Sequence, residues 1–175
     1  MVLLIAVPAQ AVIVAVGDIP FKAIRILKRG TVIGVQGAFS TSAGYSEVRD
    51  GEFKTVACDK HSNGSSAFYA LYVAGESGEV ECNVYGGEFT SISKVAAFVG
   101  NSNDGGDKEE ALVHIYGGSF ISQSDDKEAV HVDEALGGLE IAGGTFSSDV
   151  SEYVVEGTEI TEGPDGTFIV GELDE

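Results

Sequence analysis

A ten-residue pattern recurs four times in this chain, and the repetition constrains the fold more than any other feature. Gly44–Phe53, Val80–Phe89, Ala111–Phe120 and Gly137–Phe146 align without gaps; all end in Gly-x-Phe, and three end in Gly-Gly-x-Phe. An earlier Gly37-Ala38-Phe39 reads as a degenerate first copy, although the residues before it fall out of phase. Within the copies apolar residues alternate, as in a strand with one buried face. Val80, Cys82 and Val84 point one way, matched by Ala111, Val113 and Ile115 and then by Leu139 and Ile141. Glu81, Asn83, Tyr85, Leu112, His114, Tyr116 and Glu140 take the opposite face. The glycines mark a corner, because glycine tolerates positive φ and close backbone approach, and the Phe that follows turns into the core.

A second strand type lies between these copies. Ala70–Gly75, Ala96–Asn101 and Ala129–Glu134 align with one another, placing Leu71 and Val73, Ala97 and Val99, and Val130 and Val132 inside. A Ser/Thr-rich return follows the Phe, as in Thr90-Ser91-Ile92-Ser93 and Ser147-Ser148. The Phe residues at 53, 89, 120 and 146 stand 36, 31 and 26 residues apart, and polar turns over 59–66, 101–110 and 124–128 absorb the differences. Constant strands with turns of variable length are what a β-solenoid permits, since equivalent strands stack in register into parallel sheets. A sandwich of hairpins is the structural rival and explains the recurrence of one strand type less well. No helical periodicity appears after residue 45.

Gly143-Gly144-Thr145-Phe146-Ser147-Ser148-Asp149-Val150-Ser151-Glu152-Tyr153-Val154, followed by Gly166-Thr167-Phe168-Ile169-Val170, resembles the right-handed parallel β-helix repeats of surface proteins from gut Gram-positive bacteria and their phages. The resemblance spans residues 44 to 171 and implies an all-β chain folded as a short right-handed parallel β-helix. That group comprises adhesins, stalks and virion appendages, so it implies an extracellular, cell-surface or virion location. The chain has fewer coils than the larger members and no clear signal or wall anchor.

The two ends are expected to differ from the repeats, which occupy residues 44–157. Residues 1–43 form an apolar segment with a short basic helix or strands, serving as a cap or an assembly element through which the chain forms homo-oligomers. Val2 to Val16 is shorter than the roughly 20 apolar residues of a membrane span. A cleaved signal ending at Ala9-Gln10-Ala11 and a pair of buried strands, Val2 to Val7 and Ala11 to Val16, are the two readings of it. Lys22, Arg25, Lys28 and Arg29 recur at spacings of three and four, suggesting one polar face of a short helix. Residues 158–175 read as a C-terminal hairpin cap, turning at Gly163-Pro164-Asp165-Gly166, with an acidic tail that blunts the sheet edge.

Charge narrows the partners. The 175-residue chain carries a formal charge of −18, yet residues 1–50 hold five basic and three acidic side chains. The acidity therefore falls on the repeats, which repel phosphate backbones, and no nucleic-acid partner is expected. Cys58 and Cys82 are too few for a disulfide framework or a cysteine-built zinc site. Polysaccharide hydrolases and lyases need two or three acidic groups converging on one groove. Asp133 with Glu134, and Asp125 with Asp126, are the nearest groupings, but they sit in or beside polar turns, and solvated turn charge is the preferred reading. Asn101-x-Asn103-Asp104-Gly105-Gly106-Asp107 partly imitates a calcium loop, but Leu112 stands where the bidentate Glu belongs. His61, His114 and His131 are scattered through the repeat and predict no shared metal, and no cofactor motif is present.

Two outward columns supply the functional lead. The alignment stacks Tyr72, Phe98 and His131 on one face and Tyr85 and Tyr116 on another. Rings repeating at about 4.7–4.9 Å suit either a flat sugar-binding platform or a ladder that stabilises the sheet or a subunit contact. The expected function is a non-enzymatic surface, adhesion or virion-appendage module holding a rigid face against a glycan or protein. A carbohydrate-active enzyme and a purely structural assembly subunit are the alternatives.

Overall fold

The computed structural model describes residues 24–27, 30–34, 37–56, 69–100, 109–133 and 135–173. The apolar run Val2 to Val16, Lys22, Lys28, Arg29, Cys58, His61, the calcium-like loop and Glu134 lie outside the described residues.

Among the described residues the chain is all-β, apart from a single 3-10 turn at Ser151–Tyr153, and its strands recur in threes. The first of each three are β1 (Ile24–Leu27), β4 (Gly44–Val48), β7 (Val80–Val84), β10 (Ala111–Ile115) and β13 (Gly137–Ile141). The second are β2 (Thr31–Gly34), β5 (Glu52–Thr55), β8 (Glu88–Ser91), β11 (Ser119–Ser122) and β14 (Gly144–Phe146). The third are β3 (Gly37–Thr41), β6 (Tyr69–Ala74), β9 (Ala97–Gly100) and β12 (Val130–Val132). Each class forms its own sheet, with strands three apart in sequence lying side by side and parallel. This order is compatible with a β-solenoid. β15 (Thr158–Glu162) and β16 (Phe168–Glu172) then form an antiparallel hairpin, and β16 pairs antiparallel with β14 at the end of the second sheet.

The register reproduces the gap-free alignment residue for residue. Gly44, Val80, Ala111 and Gly137 stand opposite one another, as do Phe53, Phe89, Phe120 and Phe146. Register is strongly specified here because a one-residue slip would turn every buried side chain outward. Val80, Cys82, Val84, Ala111, Val113, Ile115, Leu139 and Ile141 are all buried, as alternation requires. The four Phe rings form a column through the core, with centroids 4.6, 4.7 and 5.3 Å apart and planes within 7° of parallel.

Two sequence readings are resolved before residue 44. Of the short helix or strands foreseen for the basic segment, the described part, Ile24–Leu27, is a strand paired with β4. Ile24 and Ile26 are β-branched and suit a strand, and pairing along the sheet overrides a weak helical period. Gly37-Ala38-Phe39 is not a Gly-x-Phe copy, since β3 pairs with β6 and sets Phe39 opposite Leu71. The degenerate copy is Gly30-Thr31-Val32: Val32 stands opposite Phe53, and the Glu52 N–H donates to the Gly30 carbonyl as the Glu88 N–H does to Gly51.

The Ser/Thr-rich return continues from the second strand class. Its hydroxyls satisfy backbone groups of neighbouring turns. Thr55 Oγ1 accepts from the Ile92 N–H, Ser147 Oγ accepts from the Ser122 N–H, and Ser122 Oγ donates to the Lys94 carbonyl at 2.8 Å. Replacing Ser122 by Ala removes that donor at a buried site, and denaturant unfolding should register a loss of about 1–3 kcal/mol. A change below about 0.5 kcal/mol would show that the hydroxyl column is not structural.

Cys82 occupies an inward position of β7 and is fully buried, which pushes its thiol up to about 12. In a Cys58→Ser background, Cys82 should therefore resist thiol reagents at pH 8 and react only as fast as the chain unfolds. Rapid labelling of the native protein would contradict its placement.

Candidate functional site

The outward face of the first sheet carries three rows of side chains, one from each outward position of the strands. The first row runs Tyr45, Glu81, Leu112 and Gly138, and the second runs Glu47, Asn83, His114 and Glu140. The third lies just past the strand ends, where the N–H groups of Tyr85, Tyr116 and Ala142 donate to the carbonyls of Val48, Val84 and Ile115. That row therefore runs Arg49, Tyr85, Tyr116 and Ala142.

Polar groups knit the rows together. The Tyr45 hydroxyl donates to Glu47 Oε1 at 2.9 Å and accepts from Asn83 Nδ2 at 2.8 Å. Arg49 donates from Nε and Nη2 to Glu47 Oε2 at 3.0 and 2.8 Å. The Tyr45 hydrogen bond, with Arg49 beside it, holds the Glu47 carboxyl below its usual value. Asn83 lowers the Tyr45 phenol, but burial and the Glu47 carboxylate outweigh it and leave the phenol raised. Asn83 is 7% exposed, and its Oδ1 has no partner among the described residues. Its amide orientation is fixed, because the Tyr45 hydroxyl spends its one proton on Glu47 and can only accept from Asn83. Farther along the row, His114 Nδ1 and Glu140 Oε2 are 2.9 Å apart.

Tyr85 and Tyr116 are the large exposed aromatic side chains of this face, at 44% and 48%. Their centroids are 5.0 Å apart and their planes 11° from parallel. The expected spacing is present, but a flat platform is not. Six-membered rings this close and this parallel lie face to face, so they show solvent their edges and hydroxyls. One face of Tyr85 is also covered, by the Arg49 guanidinium 5.4 Å from the ring centroid. The His114 ring also stands against Tyr116, with centroids 6.3 Å apart and planes 19° from parallel.

The second expected column lies on the sheet formed by β3, β6, β9 and β12. Tyr72, Phe98 and His131 stack in the predicted order, with centroids 5.3 and 5.7 Å apart. Phe98 is nevertheless only 5% exposed, which corrects its placement on an accessible face. Tyr69 turns its ring against both Tyr72 and Phe98 at 5.6 and 5.1 Å. Strict alternation assigns Tyr69 to the side opposite Tyr72, so the pattern gave no signal for this contact. Burial first, and the Glu128 carboxylate second, raise the Tyr69 phenol. The Tyr72 hydroxyl is tied to Glu76 at 2.7 Å, and His131 faces Glu128 at 3.1 Å. This column is an aromatic cluster closed over Phe98 and open at His131, whose side chain is 52% exposed.

Asp125 and Asp126 are exposed in a turn, where the Ser124 hydroxyl donates to Asp126 and lowers its carboxyl. Asp133 Oδ1 accepts from the Ala135 N–H within its own turn. Among the described residues no three metal-ligating side chains come together, and no helix is long and apolar enough to cross a membrane. No protein-family model, curated protein or solved structure matches the chain.

Proposed function

We propose that the chain is a short right-handed parallel β-helix serving as a non-enzymatic surface, adhesion or virion-appendage module, of the kind its Gly-Gly-x-Phe repeats resemble. The strand order with a period of three supports the architecture, and the strong preference for right-handed crossovers between parallel strands supports the hand. One observation carries the function: an exposed Tyr85–Tyr116 stack held in register on a sheet face whose neighbouring side chains are already hydrogen-bonded to one another. Such a face is preorganised, so a glycan or protein partner meets it with little ordering cost. The action is passive, and the acidity of the repeats repels polyanions.

The test offers the labelled full chain to a glycan array and to intact gut Gram-positive bacteria, beside a Tyr85→Ala/Tyr116→Ala double variant. Both residues are surface positions, so the variant should keep its unfolding midpoint while losing at least about tenfold in retention, about 1.4 kcal/mol of contact energy. Equal retention by both proteins, or cleavage of arrayed glycans, would contradict the proposal.

A further inference from the structure

We infer that Tyr85 and Tyr116 form an oxidative cross-linking site, at which a one-electron oxidant of the haem-peroxidase class, using hydrogen peroxide, joins the two rings by a carbon–carbon bond. The inference goes beyond the reading of this face as an interaction surface and needs no bound partner.

Strand register places the pair. Both side chains leave the sheet just past the ends of the adjacent parallel strands β7 and β10, where the Tyr116 N–H donates to the Val84 carbonyl. The rings stand one rung apart, with centroids separated by 5.0 Å and planes 11° from parallel. Parallel strands in register repeat a side chain's direction, so the hydroxyl and its flanking ring carbons in Tyr85 lie beside those of Tyr116. Arg49 lies over Tyr85 and the His114 ring stands against Tyr116, so among the described residues each of these phenols has the other as its phenol neighbour.

Exposure singles the pair out among six tyrosines. Tyr85 and Tyr116 turn their edges and hydroxyls to solvent, where an oxidant meets them. The Tyr45 hydroxyl is held between Glu47 and Asn83, and that of Tyr72 by Glu76. Tyr69 is partly buried with its ring against Phe98, and Tyr153 packs against the core. Charge keeps the reaction within one molecule. Copies with a formal charge of −18 repel one another, whereas two rings already in contact couple without an encounter step.

The oxidant takes one electron from each phenol, and each phenolic proton goes to solvent. The two phenoxyl radicals carry spin on the carbons beside the hydroxyl, Cε1 and Cε2, and one such carbon from each ring forms the new bond. The hydrogen on each bonded carbon then leaves as a proton and the phenol oxygen regains one, restoring both rings. The chain loses two hydrogens, and the peroxide takes up the two electrons and two protons to become two waters. Tyr85 and Tyr116 are 31 residues apart, so the bond ties neighbouring rungs together and closes a loop in the unfolded chain.

The experiment treats the full chain with a haem peroxidase and hydrogen peroxide and follows the blue fluorescence of coupled phenols. The product should remain a monomer lighter by two hydrogens, and the cross-linked fraction should not change on about tenfold dilution. Trypsin should release residues 61–94 joined to residues 109–127, the segments that hold Tyr85 and Tyr116. Tyr85→Phe and Tyr116→Phe keep the stacked rings but remove the phenol, and each should cut the fluorescence at least about tenfold. The cross-linked chain should melt about 5–15 °C higher than the untreated one, a gain absent from the treated Phe variants. Covalent dimers as the main product, a link confined to residues 61–94, or fluorescence indifferent to both Phe substitutions would overturn the inference. So would oxidation of single rings without coupling.

Discussion

Phe120→Ala should lower the unfolding free energy by about 3–5 kcal/mol, the largest effect of any single truncation in the core. Phe120 is fully buried and has a parallel ring on each side, Phe89 at 4.7 Å and Phe146 at 5.3 Å. Both neighbours are fixed by the hydrogen-bonded register of their strands, so neither can slide into the space left behind. The cost therefore includes an uncollapsed cavity as well as lost apolar burial. Against a total stability of about 5–15 kcal/mol, a single truncation removes a large fraction. Phe120→Leu should cost much less, because it refills most of the volume. Urea unfolding of both variants measures the pair of values, and a loss below about 1 kcal/mol for Phe120→Ala would place the ring outside a continuous column.

The second large effect is expected at the corner, where the two glycines of a pair do different things. Gly118 has φ +108°, a conformation that L side chains rarely adopt, and a Cβ built on it would stand 2.9 Å from the Gly87 carbonyl oxygen. Gly87 repeats the geometry with φ +113° and the same crowding by Gly51 one rung earlier. Gly118→Ala should cost about 1–3 kcal/mol for backbone conformation alone, and the carbonyl contact adds to it. Gly117 needs no positive φ; its Cβ would meet the Tyr85 carbonyl oxygen at 2.9 Å. Gly117→Ala should therefore destabilise less than Gly118→Ala in the same thermal or urea experiment. The reverse order would mean that crowding, and not conformation, requires the pair.

Much of this was legible in the sequence because the repeat is stacked in register, so an alignment of segments is also a map of neighbours. That is why the alternation in Val80–Val84 and Ala111–Ile115 named the buried side chains correctly, and why Tyr85 could be set beside Tyr116. The first unit escaped notice because Val32 fills the place of Phe, leaving Gly30 as its main visible mark. Ring orientation was also hidden. Spacing alone does not distinguish rings lying flat on a sheet from rings stacked edge-outward, and only the second fits 5.0 Å between centroids. The burial of Phe98 depended on Tyr69, a residue that leaves the alternation at the first position of its strand. Buried Ser46 is explained by a partner outside the repeat pattern, the Thr41 hydroxyl at 3.1 Å.

The central claim is that strands three apart in sequence, not consecutive ones, are hydrogen-bonded neighbours. Scalar couplings across hydrogen bonds, read by NMR on the isotope-labelled chain, identify each donor and acceptor directly. They should link the N–H of Tyr85, Tyr116 and Ala142 to the carbonyls of Val48, Val84 and Ile115, and the N–H of Glu88, Ser119 and Thr145 to those of Gly51, Gly87 and Gly118. Couplings between consecutive strands instead, such as Val80–Val84 with Glu88–Ser91 in an antiparallel hairpin, would contradict the account and favour a sandwich.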